Sequence, residues 1–265
     1  MEEACTASRG KTSTTRKRWK ESGEIVDNSF VVNSPWNYGM ATFCLYRGHF
    51  LNIDVLPENY VAVDLGAANG MMLRFWNKYI PKKAGLLYGF EPSKPVYNYL
   101  EKLVAKHTNM QCCNMAVSGS ATPSTIEFSD CCDEKDMKYC GWSFASGHTI
   151  HKRAIETGQI TIKKKYQIPV FNFNNLFQKI KKTKIDYLVM DIEGHEKECF
   201  DTAPAELFEN ITQISLECHY PQEIERYRRL LQKYGYKNVF VWRGGTIYAC
   251  REEMSNSIEE VTDII

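Results

Sequence analysis

The chain has almost no net charge: 33 Lys and Arg stand against 32 Asp and Glu, a formal +1 at pH 7. Composition therefore does not point to a polyanion partner, although a local basic patch could still exist. Long apolar runs are missing too. No stretch approaches the ~18 residues of a membrane-spanning helix, and the first residues lack the apolar centre of a secretory leader. The ten cysteines lack a pattern. No C-x-x-C pair meets histidines at zinc spacing, and the adjacent pairs Cys112-Cys113 and Cys131-Cys132 suit no disulfide framework. Reduced thiols follow, in a cytoplasmic compartment, with the nucleus as the alternative. The one N-x-T sequon, Asn210-Ile211-Thr212, runs into an apolar strand, which argues against glycosylation there.

What is present suits a single folded α/β domain. At 265 residues, with 43% hydrophobic and 25% charged residues, the chain can bury a sizeable core. Residues 1–24 read as a disordered basic tail containing Arg16-Lys17-Arg18-Trp19-Lys20, and residues 251–265 as an acidic tail. Between them, residues 25–250 form the domain, with residues 130–165 an insertion that could carry substrate contacts. The domain centres on Val61-Ala62-Val63-Asp64-Leu65-Gly66-Ala67-Ala68-Asn69-Gly70, an apolar strand followed by a glycine-bearing turn. Met71 to Ile80 then reads as a helix with Met72, Phe75, Trp76 and Tyr79 on one face. A strand, a tight loop and a helix N-terminus bring backbone N–H groups close to a ligand, and Gly66 and Gly70 permit close approach.

Two dinucleotide or nucleotide readings of this loop fail on what it lacks. A phosphate-cradling loop wants Lys-Ser or Lys-Thr after its last glycine, and Met71-Met72 follow instead. A nicotinamide site wants G-x-G-x-x-G, and Ala68 stands where the middle glycine would be. The pattern resembles the first motif of class I methyltransferases, where the loop, here Asp64, Gly66, Ala67 and Gly70, holds S-adenosylmethionine (SAM). A second strand, Leu86 to Phe90, ends in Glu91 about 20 residues on, a spacing that suits hydrogen bonds to ribose hydroxyls. A third, Ile185 to Met190, runs into Asp191-Ile192-Glu193-Gly194-His195-Glu196.

The trio VDLGAANG, FEP and MDIEGHE, with the preceding Ile168 to Leu176 segment, resembles the FkbM family of methyltransferases over roughly residues 60 to 245. The resemblance implies a Rossmann-like class I fold: a mostly parallel seven-stranded sheet flanked by helices, closed by an antiparallel C-terminal hairpin. It also implies SAM as cofactor and O-methylation of a hydroxyl acceptor, a sugar or small molecule. Asn114 and Ala116 fall where class I enzymes contact adenine.

The remaining elements follow from local signals. Ser93 is placed to cap a helix running to His107, Met110 to Val117 reads as a strand, and Ser124 to Ser129 as an extra one. Pro221 to Tyr234 reads as an amphipathic helix stopped by Gly235, and Tyr236 to Trp242 with Thr246 to Cys250 as the closing hairpin. The strand from Ile211 to Leu216 ends in Glu217-Cys218-His219, so a second acid and an imidazole arrive beside Asp191 and Glu193. His219 is the preferred general base by its intrinsic pKa, with Asp191 or Glu193 orienting the acceptor. Asp191, Glu193 and Glu217 also leave room for a divalent cation, ranked below metal-free chemistry. The alternatives are an RNA cap-ribose methyltransferase, whose Lys-Asp-Lys-Glu set is incomplete here, and a catalytically silent binding module. Oligomeric state cannot be read from the sequence.

Overall fold

The computed structural model describes residues 30–33, 42–45, 49, 51–52, 55–80, 85–119, 125–130, 143–145, 156–157, 162, 164–241 and 245–252. The expectations for residues 1–24 and for most of the insertion and the acidic tail lie outside them. Strands β1 (Phe30–Asn33) and β2 (Thr42–Leu45) pair antiparallel as a separate ribbon. The domain proper begins with β3 (Val61–Leu65), whose five residues are all buried, as a continuous apolar run demands of a central parallel strand. Helix α1 (Met71–Tyr79) follows and buries Met72, Leu73, Phe75 and Trp76. Strand β4 (Leu86–Phe90) leads into α2 (Lys94–Val104), which starts at Ser93, whose Oγ accepts the Val96 N–H, and has Pro95 in its first turn. Its end is earlier than the spacing predicts. Lys106 and His107 donate to carbonyls three residues back, so the chain tightens after Val104 instead of continuing as α-helix.

The strand predicted over Met110 to Val117 is two strands in different sheets. β5 (Met110–Cys113) stays beside β4, and β6 (Ala116–Ser118) pairs with a later strand, Lys164–Asn172. The break is at Asn114, whose side-chain amide donates to the carbonyls of Glu91 and Pro92 at 2.8 and 2.9 Å. A four-stranded sheet then forms from β6, β7 (Thr125–Asp130), β8 (Ser143–Ala145) and β9 (Lys164–Asn172), so part of the predicted insertion is regular structure. Short helix α3 (Leu176–Ile180), strand β10 (Ile185–Met190), helices α4 (Glu196–Thr202) and α5 (Ala205–Glu209), and strand β11 (Ile211–Glu217) follow. Pro221–Glu223 is a 3-10 turn, after which α6 (Ile224–Lys233) buries Tyr227 and Leu231. The hairpin β12 (Asn238–Val241) and β13 (Thr246–Cys250) closes the fold.

The main sheet has seven strands in the order β12-β13-β11-β10-β3-β4-β5. From β11 to β5 every neighbour is parallel, and β13 runs antiparallel to both β11 and β12. This is the Rossmann-like sheet with an antiparallel closing hairpin that the family resemblance implies. Large apolar clusters, one around Leu65, Phe90 and Phe200 and one around Trp76, Leu73 and Tyr187, fill the space between the sheet and its helices. After β3 the chain builds outward through β4 and β5; it later returns to lay β10 and β11 on the other side. Strand order therefore reverses between β3 and β10, and such a switch point opens a crevice at the carboxyl ends of the strands. Among the described residues no helix is long and apolar enough to cross a membrane.

Candidate active site

The crevice is floored by the loop after β3. Gly66 and Gly70 have φ of 87° and 77°, in the left-handed region that favours glycine. A Cβ at Gly66 would sit 1.8 Å from the Asp191 carbonyl oxygen, and one at Gly70 would sit 2.5 Å from a Leu100 methyl carbon. The missing side chains therefore make room first for the protein itself. The strand ends are locked together there, since Asp191 N–H donates to the Leu65 carbonyl at 3.0 Å. The N–H groups expected to face a ligand are also used internally. Gly66 and Ala67 both donate to the Phe90 carbonyl at 2.9 Å, Gly70 donates to Ala67 at 2.8 Å, and Ala68 donates to Glu91 Oε2 at 2.8 Å.

Glu91 is the centre of that arrangement. Its second oxygen accepts the Ser93 N–H at 2.7 Å, and the residue is only 5% exposed. One carboxylate thus clasps the glycine loop to the start of α2. Asp64 is buried on β3, and Asn114 lies against Glu91 through the bonds that break the strand. These residues, with Gly66, Ala67 and Gly70, gather at the ends of β3, β4 and β5. Ala116 is packed with Phe128 and Ile168 in the core of the four-stranded sheet, which accounts for its small side chain.

Across the switch point the carboxyl ends of β10 and β11 deliver a dense cluster. The His219 ring is its hub. Nδ1 is 3.1 Å from Glu196 Oε1, and Nε2 is 3.5 Å from Glu193, 3.8 Å from Asp191 and 4.0 Å from Glu217. Glu196, at the start of α4, also accepts the Ile192 N–H at 2.9 Å and is 1% exposed. Its burial makes it an integral part of the cluster. Burial alone would lower the His219 pKa, but the hydrogen bond and charge of Glu196, with the charges of Asp191 and Glu193, raise it to about 9. For Glu217, burial and then the charge of Asp191 and a hydrogen bond with it push the carboxyl up to about 8. His195 points to a different partner, with Nδ1 3.5 Å from Glu198.

Sequence reasoning missed one member. His49 is buried, and its Nδ1 is 2.9 Å from Ser215 Oγ on β11. The segment carrying it is tied down by Gln213, whose side chain accepts the Asn52 N–H at 2.9 Å and donates to the Asn52 carbonyl at 3.1 Å. Tyr248 donates to the same Gln213 oxygen at 2.5 Å. A signal existed: Thr212, Gln213 and Ser215 are polar residues inside a central strand, and buried polar groups require partners.

A reversed parallel sheet, a glycine-hinged loop after its first strand, an acid after the second and a carboxylate at the next strand end together define a Rossmann-like methyltransferase. The chain belongs to the methyltransferase FkbM domain family, whose model matches residues 64–237. Among solved structures it is similar to the methyltransferase FkbM from Methylobacillus flagellatus KT, at 12% identity and a TM-score of 0.46, over 74% of this chain and 45% of that one. It is also similar to M. capricolum TrmK in complex with S-adenosyl-homocysteine, at 10% identity and a TM-score of 0.37, over 78% and 69% of the two chains. Precorrin-6y C5,15-methyltransferase from Geobacter metallireducens GS-15 matches at 10% identity and a TM-score of 0.37, over 74% and 80%. A search of curated proteins returns no match.

Proposed function

We propose that this chain is a SAM-dependent methyltransferase that methylates a hydroxyl on a sugar or small-molecule acceptor. The observation that carries the reading is the pairing, across one switch point, of the clasped glycine loop and Glu91 with the cluster of Asp191, Glu193, Glu217 and His219. The residues suit the cofactor. Ribose hydroxyls are donors, and Glu91 places a carboxylate, an acceptor of such bonds, just past the end of β4. A sulfonium is cationic, and the neighbouring crevice is rich in carboxylates.

When bound, SAM supplies an electrophilic methyl group; the protein's work is positioning, exclusion of water and handling of one proton. Asp191 or Glu193 orients the acceptor through a neighbouring donor group, which leaves the proton of the attacking hydroxyl to His219. His219 in its neutral form receives the proton as the oxygen attacks, and the surrounding carboxylates stabilise the imidazolium that results. The same carboxylates make the neutral ring scarce at pH 7.

The test is incubation of the protein with methyl-labelled SAM and extracts divided into RNA, protein, glycan and small-molecule fractions. Label in a base-stable ether of the glycan or small-molecule fraction is the expected result. Label at a ribose 2′-oxygen of RNA would replace the acceptor class, and absence of SAM binding would leave a silent module.

A further inference from the structure

We infer that His49, Asp191 and Glu217 together bind one divalent cation at the crevice end of β10 and β11. One ring nitrogen of His49 and one carboxylate oxygen each of Asp191 and Glu217 lie within 4.8 Å of one another. The three come from separate places: a segment ahead of the main sheet, the residue just past β10, and the last residue of β11. An imidazole and two carboxylates make a mixed nitrogen and oxygen donor set, which suits Mn²⁺, Fe²⁺ or Zn²⁺ better than the all-oxygen preference of Mg²⁺. Ligand bonds of about 2.0–2.2 Å place neighbouring donor atoms roughly 3–4 Å apart, so small side-chain rotations bring these three onto one ion.

Independent features of the cluster point the same way. Asp191 Oδ1 and Glu196 Oε2 are both sealed from solvent, and neither has a hydrogen-bond partner among the described residues. Glu196 is 1% exposed and shares a second close group with Asp191 and His219. The ion pairs that Asp191, Glu196 and Glu217 make among the described residues all go to the single imidazole of His219. Carboxylates packed this closely, with Glu196 buried and Asp191 and Glu217 half-buried, favour a compensating charge, and a cation supplies it. His49 also carries the outer contact that metal-bound histidines usually have. Its Nδ1 lies 2.9 Å from Ser215 Oγ, a contact that orients the ring.

The cation's role rests on the O-methylation reading, whereas its binding does not. As a Lewis acid it lowers the pKa of an acceptor hydroxyl. The oxygen–methyl bond then forms as the carbon–sulfur bond breaks, the electron pair leaves with sulfur, which loses its positive charge, and the hydroxyl proton goes to the base.

The experiment is Mn²⁺ titration of the full-length, metal-stripped protein by calorimetry, with melting temperature as a second readout and SAM titrations run alongside. Wild type should bind one Mn²⁺ and melt at a higher temperature with it. His49→Ala and Glu217→Gln should each weaken Mn²⁺ binding by about tenfold or more, and Ser215→Ala by a smaller factor, while SAM affinity is kept. Retained SAM affinity also certifies that each variant is folded, and the conservative His49→Gln serves if His49→Ala is not. Absence of Mn²⁺ binding to wild type, or binding that ignores both His49 and Glu217, overturns the site and leaves the methyltransferase reading intact. Loss of SAM binding with Mn²⁺ binding retained does the reverse.

Discussion

Replacing Glu91 by Gln separates two roles that the structure superimposes on one carboxylate. The wild-type side chain accepts two backbone N–H groups, Ala68 at 2.8 Å and Ser93 at 2.7 Å, in a nearly solvent-free position. Glutamine keeps the shape but offers one acceptor oxygen, so its NH₂ group must face one of the two N–H donors. One charge-assisted bond is lost and one buried N–H is left unmatched, for a combined cost of about 2–4 kcal/mol. In a domain of this size each kcal/mol shifts the melting temperature by roughly 2–4 °C, so a fall of about 5–15 °C is expected by calorimetric melting. That loss follows from the clasp alone. If Glu91 also holds the ribose, SAM affinity of the still-folded variant should fall by about tenfold or more, since a charge-assisted hydrogen bond is worth about 1.5–3 kcal/mol. A melting temperature within about a degree of wild type would refute the clasp. Unchanged SAM affinity at a temperature where the variant is folded would refute the ribose contact.

Gly66→Ala should be more damaging than any ordinary glycine substitution, because its Cβ would overlap the Asp191 carbonyl at 1.8 Å and its φ is 87°. A loss above about 4 kcal/mol, or failure to fold, is expected, and a soluble variant with near wild-type denaturation would contradict the packing. Arg251→Leu removes donors to the Phe208, Ile211 and Tyr234 carbonyls and a cation stacked 4.5 Å from the Tyr236 ring centroid. Urea unfolding should register about 2–4 kcal/mol of lost stability, and a change below about 0.5 kcal/mol would show that water replaces those bonds freely. His219→Ala should lower turnover by about 10²–10⁴-fold with SAM affinity unchanged; retention of more than about a tenth of the rate would remove the ring from proton transfer.

Much of the fold follows from local signals. The apolar run Val61–Leu65, the glycines that follow it, the Ser93 cap and the apolar strands ending in Glu91, Asp191 and Glu217 are all readable from spacing and residue type. The sequence alone also determined that several acids and an imidazole would meet, because strand ends in a parallel sheet share an edge. Tertiary structure decided what those residues touch. The glycines answer to the Asp191 backbone and to Leu100, and Asn114 breaks a strand by bonding two carbonyls on the neighbouring connection. Glu196 is buried against His219, and His49 arrives from 166 positions away to meet Ser215. Hydrophobic period and turn chemistry act over a few residues and are written in order along the chain. Burial, pKa and the partners of a polar side chain depend on which strands lie side by side, and that order exists only once the sheet has formed.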